Sequence, residues 1–471
     1  MHVLSQFIPL HFYHTNDLHS DLHQWSKAVS YLKKRRHFHE KKQETYLFLD
    51  IGDHVDRVHP ISEATRGKAN VQLLNEAGVH FVTIGNNEGI TLSKKELDTL
   101  YENATFQVLL ANLFEPNGKR PTWVKPYEVV TTKEGIRIGL IGVTIPFYPF
   151  YQELGWKVKD PFELLPELLE TVKQQSDIVV LLSHLGYPQD REIAEKFSGI
   201  DVILGAHTHH LLKTAEEVND TLIAQCGRNS FYVGRVQLLY DQTNRKIVKK
   251  EGAAVHVREE SPSSETVQLL KRLEASSQKV LEETIAEVPE PFSLSWTSPS
   301  YFANMLAEGL KEWCGAEIAM VNSGLLLEPL HHGKITRRDI HRLCPHPVNP
   351  CLIQVKGAIL KETIAQSFTP QMIHLPLKGF GFRGKKIGRM AFAGLEVEVK
   401  TIEDKNYVEN ITINGQSLES DKTYSLATAD MFTFGPLFPG LSQSGPKKYF
   451  MPETIRDVLA HVLEKRFPYK P

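Results

Sequence analysis

Five apolar, β-rich segments of this chain each give way, at the C-terminal end, to Asp, Asn or His. "FIPLHFY" runs into "HTNDLHSDL" with Asp17 and His19, "YLFLDI" (46–51) into "GDH" with Asp53, and "HFVTI" (80–84) into "GNN" with Asn86. "DIVVLLS" (177–183) is followed by His184, and "DVILG" (201–205) by "AHTH" with His207 and His209. Several of these runs are apolar on both faces, the pattern of strands buried between other layers. Helical patterns lie between them: "VQLLNEAG" (71–78), ending on a glycine stop, and "PFELLPELLETVKQQS" (161–176). Strands alternating with helices predict an α/β fold. In open α/β sheets, ligands bind at the C-terminal edge of the strands.

A lone Asp or His after a strand is more often a turn or cap than a ligand. Five sequence-distant segments filling one edge with such residues point instead to a metal site. If Asp53 bridges two ions, the seven residues supply four protein ligands to each. Two cations about 3.5–4 Å apart clamp the attacking and leaving oxygens of an in-line displacement at phosphorus. Mixed imidazole, carboxylate and amide ligation predicts Mn, Zn, Fe or Co rather than Mg or Ca. No cysteine is among the ligands, which argues against a purely structural zinc.

The pattern changes after residue 250. "SSETVQLLKRLEASSQKVLEETIAEV" (263–288) has near-helical apolar spacing and meets the Pro- and Ser-rich "PEPFSLSWTSPS", predicting a linker helix at a domain boundary. Beyond it, "SYFANMLAEGLKEWCG" reads as a helix, "LEVEVK" as a strand, and "YVENITINGQSLESDKTYSLAT" as a hairpin turning at Asn414-Gly415. "KKRRHFHEKK" (33–42) reads as the solvated end of a helix.

Composition narrows the function class. With 54 Lys and Arg against 56 Asp and Glu, the net charge of −2 gives no basic excess for a nucleic-acid polymer. No run reaches the roughly 18 apolar residues of a membrane span. Cys226, Cys314, Cys344 and Cys351 form no C-x-x-C pair and are expected to be reduced. The N-terminus lacks a basic n-region and runs straight into the first motif, so a cytoplasmic location is expected.

In this order and spacing, "D-x-H", "GD", "GN", the lone His and "AHTH" resemble a calcineurin-like metallophosphoesterase domain. The whole chain is similar to the bacterial 5′-nucleotidase family. The resemblance implies an α/β fold with an N-terminal metallophosphoesterase β-sandwich flanked by helices (1–258). A linker helix (259–289) and a smaller α+β, 5′-nucleotidase-like C-terminal domain for substrate recognition (290–471) would follow. By matching motifs, one ion would take Asp17, His19, Asp53 and His209, the other Asp53, Asn86, His184 and His207. Asn112, in "LLANLF", would have a structural hydrogen-bonding role. By analogy with the family, rotation about the linker helix would carry substrate to the metals.

The chain departs from that family where catalysis is concerned. The family reads "GNHEFD" where this chain reads "GNNEGI", so Asn87 and Ile90 replace a His–Asp pair whose acid–base help is typically worth about 10²–10⁴ in rate. Asn87 is expected to donate a hydrogen bond to a phosphoryl oxygen, and His54 and His59 are candidate substitutes for the lost histidine. The family's "NGGGIR" reads "NSGLLL" (322–327), placing Leu327 where an arginine would clamp substrate. Phe380, Phe382, Phe432 and Phe434 are candidates to stack a base, since every base has a π face. Arg383 and Lys385 are candidates for the missing cation.

These readings together describe a dinuclear metal hydrolase of a nucleotide or similar small phosphate ester, acting by attack of metal-bound hydroxide. Asn86, Asn87 and His54 are its candidate catalytic residues. A metal-containing nucleotide sensor and a phosphodiesterase of cyclic or dinucleotide substrates remain as alternatives.

Overall fold

The computed structural model describes residues 6–402 and 405–470. The first five residues, which open the N-terminal stretch read above, lie outside them. The chain divides into two compact units, Met1–Ser277 and Gln278–Pro471.

The first unit is built on two sheets. β1 (Phe7–Thr15) and β2 (Thr45–Asp50) are parallel neighbours, and β3 (Phe81–Val82) continues the parallel run beside β2. They lie in a seven-stranded sheet whose other edge is antiparallel, formed by Tyr232–Asp241 and Lys246–His256. The second sheet has six strands, with Arg137–Thr144, Ile178–His184, Val202–Gly205 and Thr221–Ala224 parallel at its centre. Ile8, Leu10 and Phe12 of β1 pack with Ile138, Leu140, Val180, Leu182, Val202 and Leu204 of the second sheet in one buried cluster. This is the core of the expected sandwich. Alternation along β1 sends those residues inward and His11 and Tyr13 to the outer face, where α1 (Leu22–Lys42) lies.

Helix ends follow local chemistry. Pro161–Gln175 starts at Asp160, whose carboxylate accepts the Phe162 N–H, and Lys68–Ala77 stops at Gly78 in a left-handed conformation. "HFVTI" contributes only a two-residue strand, because the chain turns off the sheet at Thr83.

The helix expected over 263–288 ends earlier. It spans Ser264–Leu281, and Thr284–Val288 is a strand pairing antiparallel with Gly333–Thr336. Thr284, Ile285 and Val288 are β-branched and favour a ladder once one is offered.

The second unit carries a five-stranded sheet, ordered Met390–Ala393, Ile318–Asn322, Thr423–Ala429, Pro350–Lys356 and Lys447–Tyr449. Helix Tyr301–Cys314, capped by Ser300 and Gly315, occupies the segment read as helical. Leu395–Ile402 and Lys405–Ile413 are strands, and the hairpin turns at Asn414 and Gly415, both at positive φ as a type I′ turn requires. The four cysteines are free and buried. Among the described residues, no helix is long and apolar enough to cross a membrane.

Candidate metal centre

Parallel pairing of β1 with β2 sends the two following segments off the same edge, where their backbones knit together. Asp17 N–H donates to Gly52 O at 3.0 Å and His19 N–H to Asp53 O at 2.9 Å. From the second sheet, His207 N–H lies 3.1 Å from both oxygens of Asp17. Asp17, His19, Asp53, His207 and His209 all have positive φ. Non-glycine residues seldom adopt that conformation, and such strain collects at functional sites.

The side chains converge. His19 Nε2 is 2.9 Å from His209 Nε2, and His209 Nε2 is 3.5 Å from Asp17 Oδ1. Asp53 Oδ2 faces His184 Nε2 at 3.5 Å and His19 Nε2 at 3.8 Å. Asp53 Oδ1 is turned away, accepting the Asn87 N–H at 2.7 Å. His207 Nδ1 donates to Asn86 Oδ1 at 2.9 Å. All seven residues expected from the sequence thus meet in one chain of contacts. Two overlapping groups, Asp17–His19–His209 and Asp17–Asp53–His184, have ligand atoms close enough to share a cation.

Glycine makes the approach possible. A Cβ on Gly85 would sit 2.0 Å from Asp53 Oδ1 and 2.5 Å from His184 Cε1.

Burial opposes charge throughout, and neighbours decide the outcome. It raises Asp17 to about 6 despite His184 and His19. Asp53 stays below the ordinary carboxylate range because His184, His19 and the Asn87 N–H outweigh burial. Burial would lower His184 and His19, yet the surrounding carboxylates raise them to about 10 and about 9. Burial takes His207 and His209 down to about 4, helped by the charge on His184 and His19 respectively. The cluster therefore recruits positive charge among its carboxylates.

A divalent transition cation fits this set. His184 Nδ1 donates to Ile51 O at 2.6 Å, which fixes the tautomer and leaves Nε2 for a ligand. That Nε2 is buried without a hydrogen-bond partner.

Four residues not singled out in the sequence hold the centre. Glu88 accepts N–H bonds from Asp53 (2.9 Å), Val55 (2.8 Å) and Gly85 (2.9 Å), locking the two glycine turns together. Its capping-box spacing from Gly85 was a usable signal. Asn16 Nδ2 donates to Asp17 Oδ2 at 2.8 Å and to Gly227 O at 2.7 Å. Asp56 Oδ2 lies 3.4 Å from His19 Nδ1. Arg228 is exposed on a loop stitched to the centre by Asn229 N–H to Asp17 O and Gly227 N–H to His210 O. Its charge contributes to the lowering of His209.

Other expectations are corrected. Asn87 does not present its amide to a phosphoryl group: Nδ2 donates to Val55 O at 2.9 Å, and the same amide is held 3.0 Å from the His19 ring at Nδ1. The Val55 contact fixes the amide orientation, since only the NH₂ can face a carbonyl. His54 is no substitute for the lost histidine. Its ring is buried edge-on to Trp25 beside Asn70, and burial lowers it to about 3. His59 caps the helix Pro60–Thr65 by accepting the Ile61 N–H. Asn112 ties Thr144 to Lys159 through its amide, the structural role expected of it.

In the second unit, Phe382 and Phe432 are interior residues, 2 % and 0 % exposed. Phe382 stacks on His346 and Phe432 packs against Phe438, so neither offers a face to a base. Phe380 and Phe434 are 42 % and 37 % exposed, with centroids 6.3 Å apart and planes inclined by 26°. Arg383 is exposed beside them in sequence, its N–H donating to His346 Nδ1.

Comparison with known proteins agrees with this architecture. Residues 10–211 match the calcineurin-like phosphoesterase family and residues 284–436 the 5′-nucleotidase C-terminal domain. The chain is 46 % identical over 453 residues to the metallophosphoesterase YunD of Bacillus subtilis (strain 168), covering 96 % of this chain and 98 % of YunD. It is 24 % identical to the trifunctional nucleotide phosphoesterase protein YfkN of the same organism, over 76 % of this chain and 27 % of that one. The fold is shared with NAD nucleotidase (NadN) of Haemophilus influenzae, at a TM-score of 0.69 and 17 % identity over 98 % and 96 % of the two chains. It is also shared with a putative 5′-nucleotidase from Staphylococcus aureus, at 0.67 and 20 % over 98 % and 97 %.

Proposed function

Because the chain belongs to the calcineurin-like metallophosphoesterases that carry a 5′-nucleotidase C-terminal domain, a metal-dependent hydrolase family, we propose that it hydrolyses a nucleotide or similar small phosphate ester at a pair of divalent cations. The observation that carries the reading is the meeting of seven ligand-type residues in one chain of contacts, with His184 and His19 facing Asp53 Oδ2 and His184 Nε2 left unpartnered. Asp17, His19, Asp53 and His209 would hold one cation, and Asp53, Asn86, His184 and His207 the other. Asp53 would belong to both sets, its orientation fixed by the Asn87 N–H on Oδ1 at 2.7 Å. Bound there, Mn, Zn, Fe or Co would supply Lewis acidity and lower the pKa of water toward neutrality.

The chain's own groups do the positioning. Ile51 O orients His184, and the Asp56 carboxylate, 3.4 Å from Nδ1, orients His19. Asn87 carries no acid–base proton and His54 is turned away, so the site favours esters and anhydrides whose leaving group departs without protonation. Arg228 has no ion pair or hydrogen bond from its guanidinium among the described residues, and it supplies a cation for phosphate oxygens at the rim of the cluster. Phe380 and Phe434 offer the second unit's aromatic faces to a base. Their separation is a little under the two stacking contacts of about 3.5 Å that an inserted base needs, so a small rotation of either ring admits one.

The test is an assay of protein purified with Mn²⁺ on an activated aryl phosphate, an aryl phosphodiester and a nucleotide panel, with Asp53→Asn as control. Turnover of a phosphate ester that vanishes in the control is expected. Ligand binding with no turnover above the control would replace this reading with a nucleotide sensor. Diester cleavage outrunning monoester cleavage would replace it with a phosphodiesterase.

A further inference from the structure

The segment "KKRRHFHEKK" reads as solvated, yet one of its residues, His39, is fully buried. It lies in the last turn of α1, which closes with Gln43 in a left-handed conformation and Glu44 N–H donating to His39 O at 2.9 Å. This cap folds Glu44 back beside His39, and His11 projects toward them from the outer face of β1. We propose that His11, His39 and Glu44 form a separate transition-metal site, binding zinc or a similar borderline cation between α1 and the sheet.

Three observations carry the site. His39 Nδ1 and His11 Nε2 converge on the same carboxylate oxygen, Glu44 Oε2, at 2.9 and 3.3 Å. All three ligand atoms lie within 4.8 Å of one another, compatible with bonds of about 2.0–2.2 Å to a shared ion. His11 is 6 % exposed, and its Nε2 faces that oxygen without making a hydrogen bond to it or to any other group. A plain Tyr–His–Glu network would satisfy His39 and Glu44 but leave His11 Nε2 buried and without a partner, which is unfavourable for a polar atom.

The other ring nitrogen of His39 faces Tyr13, with Arg35 Nη2 3.4 Å away. His39 Nε2 is 2.9 Å from the Tyr13 hydroxyl, which also accepts from Arg35 Nε at 2.8 Å. With the ion on Nδ1, Nε2–H donates to Tyr13 Oη, the outer hydrogen bond that orients ligating imidazoles. The C-terminal end of α1 carries partial negative charge that favours a cation. Two imidazoles and one carboxylate select a transition metal over Ca or Mg. The Glu44 side chain is partly exposed, so solvent can complete the coordination.

Chelator-treated protein reloaded with Zn²⁺ and passed through a desalting column tests the site by elemental analysis. The starting chain is Asp53→Asn/His184→Ala, which removes the shared ligand and one further ligand of the other cluster. Adding Glu44→Gln, which keeps the side chain's shape, is expected to remove one zinc equivalent and the Zn²⁺-dependent rise in melting temperature. Equal zinc content with and without Glu44→Gln would overturn the proposal. If the starting chain fails to fold by circular dichroism, the comparison is made between the natural chain and its Glu44→Gln and His11→Ala variants. One equivalent fewer with aryl phosphate hydrolysis unchanged supports the site, and unchanged zinc content overturns it.

Discussion

Asn87 Nδ2 donates to Val55 O at 2.9 Å and is held there 3.0 Å from His19 Nδ1, so the Asn87 side chain walls in a candidate metal ligand. Disturbing the groups packed around a metal ligand typically costs about 10–100-fold in metal affinity or activity. Asn87→Ala is therefore expected to raise the Mn²⁺ concentration needed for half-maximal activity by about that factor. A metal titration of the hydrolysis rate reads it directly, and an unchanged midpoint would remove Asn87 from this role.

Gly85 has no room for a side chain between Asp53 and His184. Gly85→Ala is expected to abolish metal-dependent hydrolysis by pushing those two ligands apart. Far-ultraviolet circular dichroism should be nearly unchanged, because Gly85 caps only a short helix, Asn86–Thr91. Retained activity would show that the ligands occupy other positions in the working enzyme.

Arg228 stands at the rim beside His209 with its guanidinium unpaired among the described residues. Arg228→Ala is expected to lower kcat/KM about 10-fold or more for anionic phosphate substrates, in line with the roughly 1.5–3 kcal/mol of a hydrogen bond to a charged group. Arg228→Lys should recover part of the loss. An identical rate in the alanine variant would exclude contact with substrate.

Phe434→Ala, at an exposed ring facing Phe380, is expected to raise KM for a nucleotide while leaving hydrolysis of a small aryl phosphate unchanged. Base stacking is worth about 1–3 kcal/mol per base, so a KM increase of at least about five-fold is anticipated. Parallel losses on both substrates would mean a folding defect instead.

Acid stability follows from buried neutral histidines. Burial lowers His346 to about 3, and its Nδ1 must stay unprotonated to accept the Arg383 N–H. In the unfolded chain the same ring titrates near about 6.5. Between those values the unfolded state binds more protons than the folded state, so stability rises with pH and is lost as pH falls from about 6.5 toward 3. His14, lowered to about 4 by burial, acts in the same direction. Denaturant unfolding of His346→Gln is expected to show a shallower dependence of stability on pH between about 6 and 4. An unchanged slope would show that His346 takes up a proton in the folded protein.

Much of the site was legible before any coordinates. Strand patterns and the residues that follow them are local, so the order Asp17–His19, Asp53, Asn86, His184, His207–His209 could be read directly, as could the hairpin at Asn414-Gly415. The end of the helix at Leu281 was not legible, because Thr284–Val288 becomes a strand only when Gly333–Thr336 is beside it.

Local patterning is enough to say which residues arrive at the strand edge and what chemistry they bring there. What each side chain meets was settled by packing: Asn87 bonds Val55 O, the His54 ring lies against Trp25, Phe382 stacks on His346, and Glu88 spans three backbone amides. Periodicity fixes the face a residue occupies. Its partner there comes from a distant segment, and only packing chooses among the donors, acceptors and rings that segment offers.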